Sequence, residues 1–187
     1  VFYSDNGSTS VEVALKMAFQ YWSNLGAPKT KVIAFENAYH GDTFGGMSVG
    51  ARNAFNNPFE KLLFDVIHIP VPIKGEEEEA FNTMDAALQH EDIAAFIVEP
   101  LVQGAGGMVM YAASALDTLF DKCKAKNVIC IADEVMTGFG RTGTFFASDQ
   151  LNVKPDIMCL SKGLTGGVMP LGVTSCAQFI YCLLYTS

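Results

Sequence analysis

Positive charge is scarce in this sequence. Twelve Lys plus Arg stand against twenty Asp plus Glu in 187 residues, a formal net charge of -8. No basic block gathers to meet a phosphate backbone, which removes nucleic acid from the expected partners. Long apolar runs are lacking as well, none reaching the ~18 consecutive residues a spanning helix needs, so no membrane partner is expected. Charged residues make up only 17% of a chain that is half hydrophobic, which excludes disorder, and neither a Gly-X-Y period nor a heptad repeat is present. The five Cys (Cys123, Cys130, Cys159, Cys176 and Cys182) contain no C-x-x-C pair and are odd in number. That excludes a simple disulfide framework and leads to the expectation of a reducing compartment, the cytoplasm. Metal-ligand spacing is also missing. His68 and His90 have no ligand-spaced partner and read as structural, and the run Glu76–Glu79 reads as the solvated first turn of a helix. With no internal repeat or low-complexity linker, one domain over residues 1–187 is expected. Residue 1 is a Val inside an apolar run, so the chain is expected to be a fragment.

What is present is an alternation of short β-branched runs with helical patterns, the pattern of a mostly parallel sheet covered on both faces. Strands are expected at 1–4, 31–36, 65–70, 94–99, 128–133, 156–160 and 171–176. Most gaps are long enough for a crossover helix. Between the last two strands lie only ten Gly-rich residues, 161–170, so the seventh strand is expected to run antiparallel to the sixth. Helices are clearest at 10–25, 83–90 and 113–126. In the first, Val11, Ala14, Leu15, Ala18 and Trp22 form one stripe, and Thr9-x-x-Glu12 reads as its capping box. The fold class expected is three-layer α/β/α around a mostly parallel seven-stranded sheet.

Open α/β sheets place ligands beyond the carboxyl ends of their strands, and several polar groups fall there. Asn6-Gly7-Ser8-Thr9-Ser10 opens the first helix with small residues, a pattern that serves either as an ordinary cap or as a phosphate cradle. Ile131-Ala-Asp133-Glu134 ends an apolar strand in two carboxylates, one of which could simply face solvent. Ser161-Lys162 follows the sixth strand; a desolvated lysine amine beside a carboxylate can form a Schiff base. Tyr39 follows the second strand and could stack on a flat ring, or merely pack. Glu99-Pro-Leu-Val-Gln103 closes the fourth, before the loop Gly104-Ala-Gly-Gly107. The stretch Gly138-Phe-Gly140-Arg-Thr-Gly143 spells the dinucleotide fingerprint in the wrong context, because no long periodic helix follows it. A phosphate cradle, a ring partner, a strand-end Asp and a strand-end Lys are together what pyridoxal phosphate requires.

Ile131-Ala-Asp-Glu-Val-Met-Thr-Gly-Phe-Gly-Arg-Thr-Gly143, followed by Pro155-Asp-Ile-Met-Cys-Leu-Ser-Lys-Gly-Leu-Thr-Gly-Gly167, resembles the signature of the class III aminotransferases, which are fold type I pyridoxal phosphate enzymes. Asp5-Asn-Gly-Ser-Thr-Ser10, Tyr39-His-Gly-Asp-Thr-Phe-Gly-Gly-Met-Ser48 and Val102-Gln-Gly-Ala-Gly-Gly-Met-Val-Met-Tyr111 look most like the branch that passes an amino group from S-adenosylmethionine to 8-amino-7-oxononanoate in biotin synthesis. The resemblance runs to about residue 180; the tail from residue 182 does not look like the family's continuation. It implies pyridoxal 5'-phosphate as cofactor, with Gly7 and Ser8 on the phosphate, Tyr39 beside ring and substrate, Asp133 on the ring nitrogen, and Lys162 as the covalent attachment and proton carrier. Glu99 and Gln103 would contact the ring edge or support it. It also implies small amine and keto substrates, a homodimer, and an N-terminal segment and C-terminal small domain that these residues do not include. Two other readings stay open: another class III activity of the ornithine or ω-amino acid type, and a non-catalytic fragment.

Overall fold

The computed structural model describes residues 1–185. Seven strands form one sheet in the order β1-β9-β8-β7-β4-β2-β3. They are β1 (Phe2–Ser4), β2 (Lys31–Phe35), β3 (Val66–Ile69), β4 (Ile93–Val98), β7 (Ile129–Asp133), β8 (Ile157–Leu160) and β9 (Gly172–Cys176). Six fall inside the ranges expected from the sequence, and the seventh, β4, begins one residue before its expected range of 94–99. Strands β3, β2, β4, β7 and β8 are parallel in that spatial order. As the short Gly-rich connection implied, β9 runs antiparallel to β8, and it also pairs antiparallel with β1. A two-residue hairpin, β5 (Val102–Gln103) with β6 (Val109–Met110), stands outside the sheet where the sequence indicated only a loop.

Helices cover both faces, giving the three layers. On one face α1 (Gly7–Asn24) packs Val11, Ala14, Leu15 and Ala18 against Val32, Ala34, Ile97 and Ile131. Trp22 completes that stripe and donates from its indole N–H to the Ala94 carbonyl at 2.9 Å. The helix α5 (Gln178–Tyr185) lies on the same side through Ile180. It takes in the first part of the tail; residues 186 and 187 lie outside the described residues. On the other face α3 (Glu77–Ala87) and α4 (Ala113–Ala125) bury Met84, Leu116, Leu119 and Phe120 with Phe35 and Phe96. Phe96 stacks edge-to-face on both Phe35 and Phe120, an arrangement favoured by the ring quadrupoles.

Two helix starts differ from expectation. Helix α1 begins at Gly7 and is capped by Asn6: the Asn6 side chain accepts from Thr9 N–H at 3.0 Å, and the Thr9 hydroxyl accepts from Asn6 N–H at 3.1 Å. The expected box Thr9-x-x-Glu12 does not form, because the Glu12 carboxylate accepts instead from Gly45 N–H, 2.9 Å away at the start of α2 (Phe44–Val49). Helix α3 begins at Glu77, six residues before the stretch 83–90 where its pattern is clearest but within the run Glu76–Glu79 read as a first helical turn. Glu77, Glu78 and Glu79 sit in its first turn, where the positive end of the helix dipole favours them.

Candidate active site

The loops that leave β1, β2, β4, β7 and β8 meet at one edge of the sheet and enclose a cleft of about 620 Å³. Its lining brings together Gly7, Ser8, Tyr39, His40, Glu99, Asp133 and Lys162. The backbone is under tension there. Asn37, Leu101, Phe139 and Lys162 are non-glycine residues with φ between 39° and 68°, and each lies in a loop leaving a strand's carboxyl end. Such strain persists only where surrounding packing enforces it, and it gathers at functional sites.

Gly7 and Ser8 form the first turn of α1. Thr9 N–H is bonded to the Asn6 side chain and Ser10 N–H to the Asn6 carbonyl, so the N–H groups of Gly7 and Ser8 are the helix-end donors left facing the cleft. Gly7 cannot carry a side chain without displacement, since a Cβ there would lie 2.7 Å from Val135 Cγ1. The helix end is thereby pressed against the exit of β7. Gly41 is tighter still: a Cβ would come 2.2 Å from the Ser8 hydroxyl, and its φ is +106°.

Asp133 ends β7 and is buried. One of its oxygens accepts from Val135 N–H at 3.1 Å; the other lies 2.8 Å from His40 Nδ1. Glu134 is fully buried too, so neither carboxylate of the pair faces solvent. Its carboxylate accepts from the Thr137 hydroxyl, Ala147 N–H, and both the N–H and the hydroxyl of Ser148. It ties down the loop 137–148 and does not line the cleft. That loop contains the apparent dinucleotide fingerprint, which folds back on itself, Phe139 N–H and Gly140 N–H both donating to the Phe145 carbonyl. The element directly after it is only the 3-10 turn Ala147–Gln150.

Lys162 opens the 3-10 turn Lys162–Leu164 after β8 and is exposed to the cleft. No ion pair or hydrogen bond engages its amine among the described residues. Four other lysines are committed, Lys31 to Asp92, Lys122 to Asp85, Lys124 to Asp156 and Lys154 to three carbonyls, and among the described residues Lys162 is the one that lines the cleft. Against Gly163, the next residue, the Phe139 ring packs so closely that a Cβ would lie 2.7 Å from it, so the turn is wedged between that ring and β8.

Tyr39 is 44% exposed at the rim and donates its phenol to Asp42 at 3.0 Å. Burial and the Asp42 carboxylate push that phenol up. Glu99 accepts from Gly104 N–H at 3.0 Å and from Tyr39 N–H at 3.4 Å, and burial raises its carboxyl above the usual range. Gln103 is buried beside the cleft rather than on it; its amide donates to the Glu36 carbonyl at 2.8 Å, bracing the exit of β2. His40, in direct contact with Asp133, carried no role in the sequence reading. The signal was its place between Tyr39 and a loop glycine, but only tertiary contact across 93 positions reveals the partner.

A helix end offering N–H groups, a buried carboxylate, an unpaired amine and a rim phenol can together hold a small anionic ring compound and carry a proton beside it. The comparisons with known proteins point the same way. The family model described as aminotransferase class-III matches residues 1–186, so the tail expected to depart from the family lies within the match up to residue 186. The chain is 54% identical over 189 aligned residues to the adenosylmethionine-8-amino-7-oxononanoate aminotransferase of Synechococcus elongatus, covering 97% of this chain and 45% of that protein. The crystal structure of the adenosylmethionine-8-amino-7-oxononanoate aminotransferase from Methanocaldococcus jannaschii is similar at 39% identity and a TM-score of 0.89, over 97% of this chain and 42% of that one. A PLP-bound amine transaminase from an uncultivated Pseudomonas species is similar at 37% identity and a TM-score of 0.91, over 97% and 44% of the two chains. The chain therefore spans less than half the length of these relatives, and over the part it spans it belongs to the class-III aminotransferases.

Proposed function

We propose that the whole protein transfers an amino group through pyridoxal 5'-phosphate, from S-adenosylmethionine to 8-amino-7-oxononanoate, and that these residues are its cofactor-binding large domain. The observation that carries the reading is the convergence of Lys162, Asp133, Tyr39 and the N-terminus of α1 on one cleft. The residues fit the cofactor: two helix-end N–H groups for its phosphate, a buried carboxylate for a cationic ring N–H, and an unpaired lysine for its aldehyde. The choice of substrates rests on the names of the relatives in Synechococcus elongatus and Methanocaldococcus jannaschii.

When bound, pyridoxal phosphate supplies an aldehyde that takes up amines and a ring that accepts the electron pair released at an amine's α-carbon. Gly7 and Ser8 hold the phosphate with their N–H groups and the positive end of α1. Asp133 keeps a proton on the ring nitrogen by accepting a charge-assisted bond from it. Lys162 Nζ would bind the aldehyde carbon of the cofactor, and as a free amine it would take a proton from the α-carbon of a bound amine. Tyr39 would lie beside the ring at the rim, and Glu99 holds the Tyr39 backbone and Gly104 in place.

Large apolar side chains stay exposed, Phe55 at 90% in a groove that adjoins the cleft through Tyr39 and Asp42, and Val168 at 89% six residues past Lys162, which supports a homodimer whose second copy covers them. No helix among the described residues is long and apolar enough to cross a membrane, and a cytoplasmic location suits Cys123, Cys130 and Cys159, buried thiols outside any disulfide. The decisive experiment reduces the cofactor-loaded full-length protein with borohydride, maps the labelled peptide, and assays two substrate pairs. Label on Lys162 and turnover of S-adenosylmethionine with 8-amino-7-oxononanoate are expected. Label on Lys154 or Lys61 would end the site assignment, and a preference for ornithine with 2-oxoglutarate would move the function to the sister activity.

A further inference from the structure

The histidine beside Asp133 has no part in the reading above, and its surroundings are unusual. The His40 side chain is fully buried, and its Nδ1 lies 2.8 Å from Asp133 Oδ2. A carboxylate accepts rather than donates, so this bond places a hydrogen on Nδ1 and turns Nε2 away from Asp133. Nε2 is buried with no hydrogen-bond partner among the described residues. A buried polar atom without a partner is costly, and where the fold tolerates one a reason is needed. Packing alone does not supply it, since an apolar ring would fill the same space without the orphaned nitrogen. The backbone beneath the ring is also tightly set: a Cβ on Gly46 would lie 2.9 Å from the carbonyls of both His40 and Gly41, so α2 clamps the peptide that carries the imidazole.

We propose that His40 is a positioning residue that acts through Asp133, fixing its carboxylate in the orientation it presents to the cleft; this rests on the reading that Asp133 meets the cofactor's ring nitrogen. The two oxygens of Asp133 are held from different directions, Oδ1 by Val135 N–H at 3.1 Å and Oδ2 by the imidazole. With both in place the carboxylate cannot turn about its Cβ–Cγ bond, and the lone pairs that remain keep a fixed aim. With the imidazole bond removed, only Val135 restrains it, and rotation about that single contact weakens any bond to a ring N–H. Groups that hold a ligating side chain in this way commonly matter nearly as much as the ligand they hold.

The test uses the full-length protein loaded with pyridoxal phosphate labelled with nitrogen-15 in its ring. His40→Leu should shift the ring-nitrogen resonance toward its unprotonated position and slow single-turnover amino transfer by about 10- to 100-fold. His40→Asn, whose amide N–H can stand where Nδ1–H stood, should restore most of both. His40→Leu should add no further slowing to an Asp133→Asn protein. If the smaller side chain prevents folding, His40→Phe fills the space without a donor and takes its place. A ring-nitrogen signal unchanged in folded His40→Leu or His40→Phe would overturn the proposal, as would a His40→Asn protein that folds yet is as impaired as the apolar variants. An unaltered protein that takes up no pyridoxal phosphate would overturn the functional reading and this inference with it. Uptake with a label on Lys162 but no effect of His40 would overturn this inference alone.

Discussion

Asp133, at the floor of the cleft, and Glu134, at the root of the loop 137–148, are neighbours in the chain and both buried, yet they spend their oxygens differently. A carboxylate offers about four lone-pair positions. Glu134 has all of them filled, by Thr137, by Ala147 and twice by Ser148. Asp133 has one bond to each oxygen, from Val135 and His40, and its remaining capacity faces the cleft lining. A saturated carboxylate is a rivet for the backbone, whereas one held firmly but left half-open is suited to receive a cationic N–H. Saturation, more than burial, separates the structural acid from the chemical one.

The largest effect expected of any single change lies across the cleft from this pair. Lys162→Ala in the full-length protein should lower amino transfer by about 10²- to 10⁴-fold and abolish borohydride labelling at position 162, with little change in unfolding midpoint, because the Lys162 amine faces the cleft and makes no hydrogen bond or ion pair among the described residues. Stopped-flow absorbance and peptide mapping measure the two parts.

Glu134→Ala comes next and should act on folding. It strands the Thr137 hydroxyl, the Ala147 N–H and both donors of Ser148 in a buried place, a loss of about 4 kcal/mol by urea denaturation. Asp133→Asn should reverse the pattern. The fold should change by under about 1 kcal/mol, since an amide oxygen can still accept from Val135 N–H and the imidazole can exchange its tautomer. Amino transfer should slow by about 10- to 100-fold, since a neutral amide cannot keep the ring nitrogen protonated. Glu134→Gln should be the milder of the two amide substitutions in the transfer assay. If Glu134 proved the more damaging there at equal fraction folded, the roles of the two acids would be exchanged.

The difference between these acids was not legible in the sequence, and the reason is physical. The strand ending at Asp133 was legible, because β-branched runs bounded by turns mark buried strands whatever surrounds them, and all seven were found. Position past a strand's carboxyl end then picked out Gly7, Ser8, Tyr39, Asp133 and Lys162, which do line one cleft. Saturation of Glu134 depends on how the loop 137–148 folds back, and that path is set by positive φ at Phe139, Gly140 and Gly143, which no periodicity encodes. The His40 bond spans 93 positions. The start of α1 was ambiguous in a simpler way: Asn6-x-x-Thr9 and Thr9-x-x-Glu12 are both plausible caps, and the choice turned on Gly45 N–H taking the Glu12 carboxylate. The hairpin of β5 and β6 is only two residues a side, too short to leave a pattern.

Glu99 extends the comparison to a third buried carboxylate and gives the smallest expected effect. Like Asp133 it lines the cleft with one bond to each oxygen, from Gly104 N–H and, at 3.4 Å, from Tyr39 N–H. Unlike Asp133 it has no imidazole in hydrogen-bond contact, and burial raises its carboxyl above the ordinary value of 4.5, more than the His40 ring and the two N–H groups lower it. The folded state therefore binds a proton at Glu99 at a higher pH than the unfolded chain does. Between those two points the native protein carries more protons than the unfolded one, so the contribution of Glu99 to stability falls as pH rises and recovers as pH drops. Replacing it with Gln removes this titration while keeping an acceptor for Gly104 N–H. Urea denaturation of both proteins from neutral pH down to about 4.5 should show the unaltered protein gaining stability relative to Glu99→Gln as the solution is acidified, and no further gain below the unfolded value. A relative loss on acidification would mean that its two N–H donors and the nearby imidazole outweigh burial.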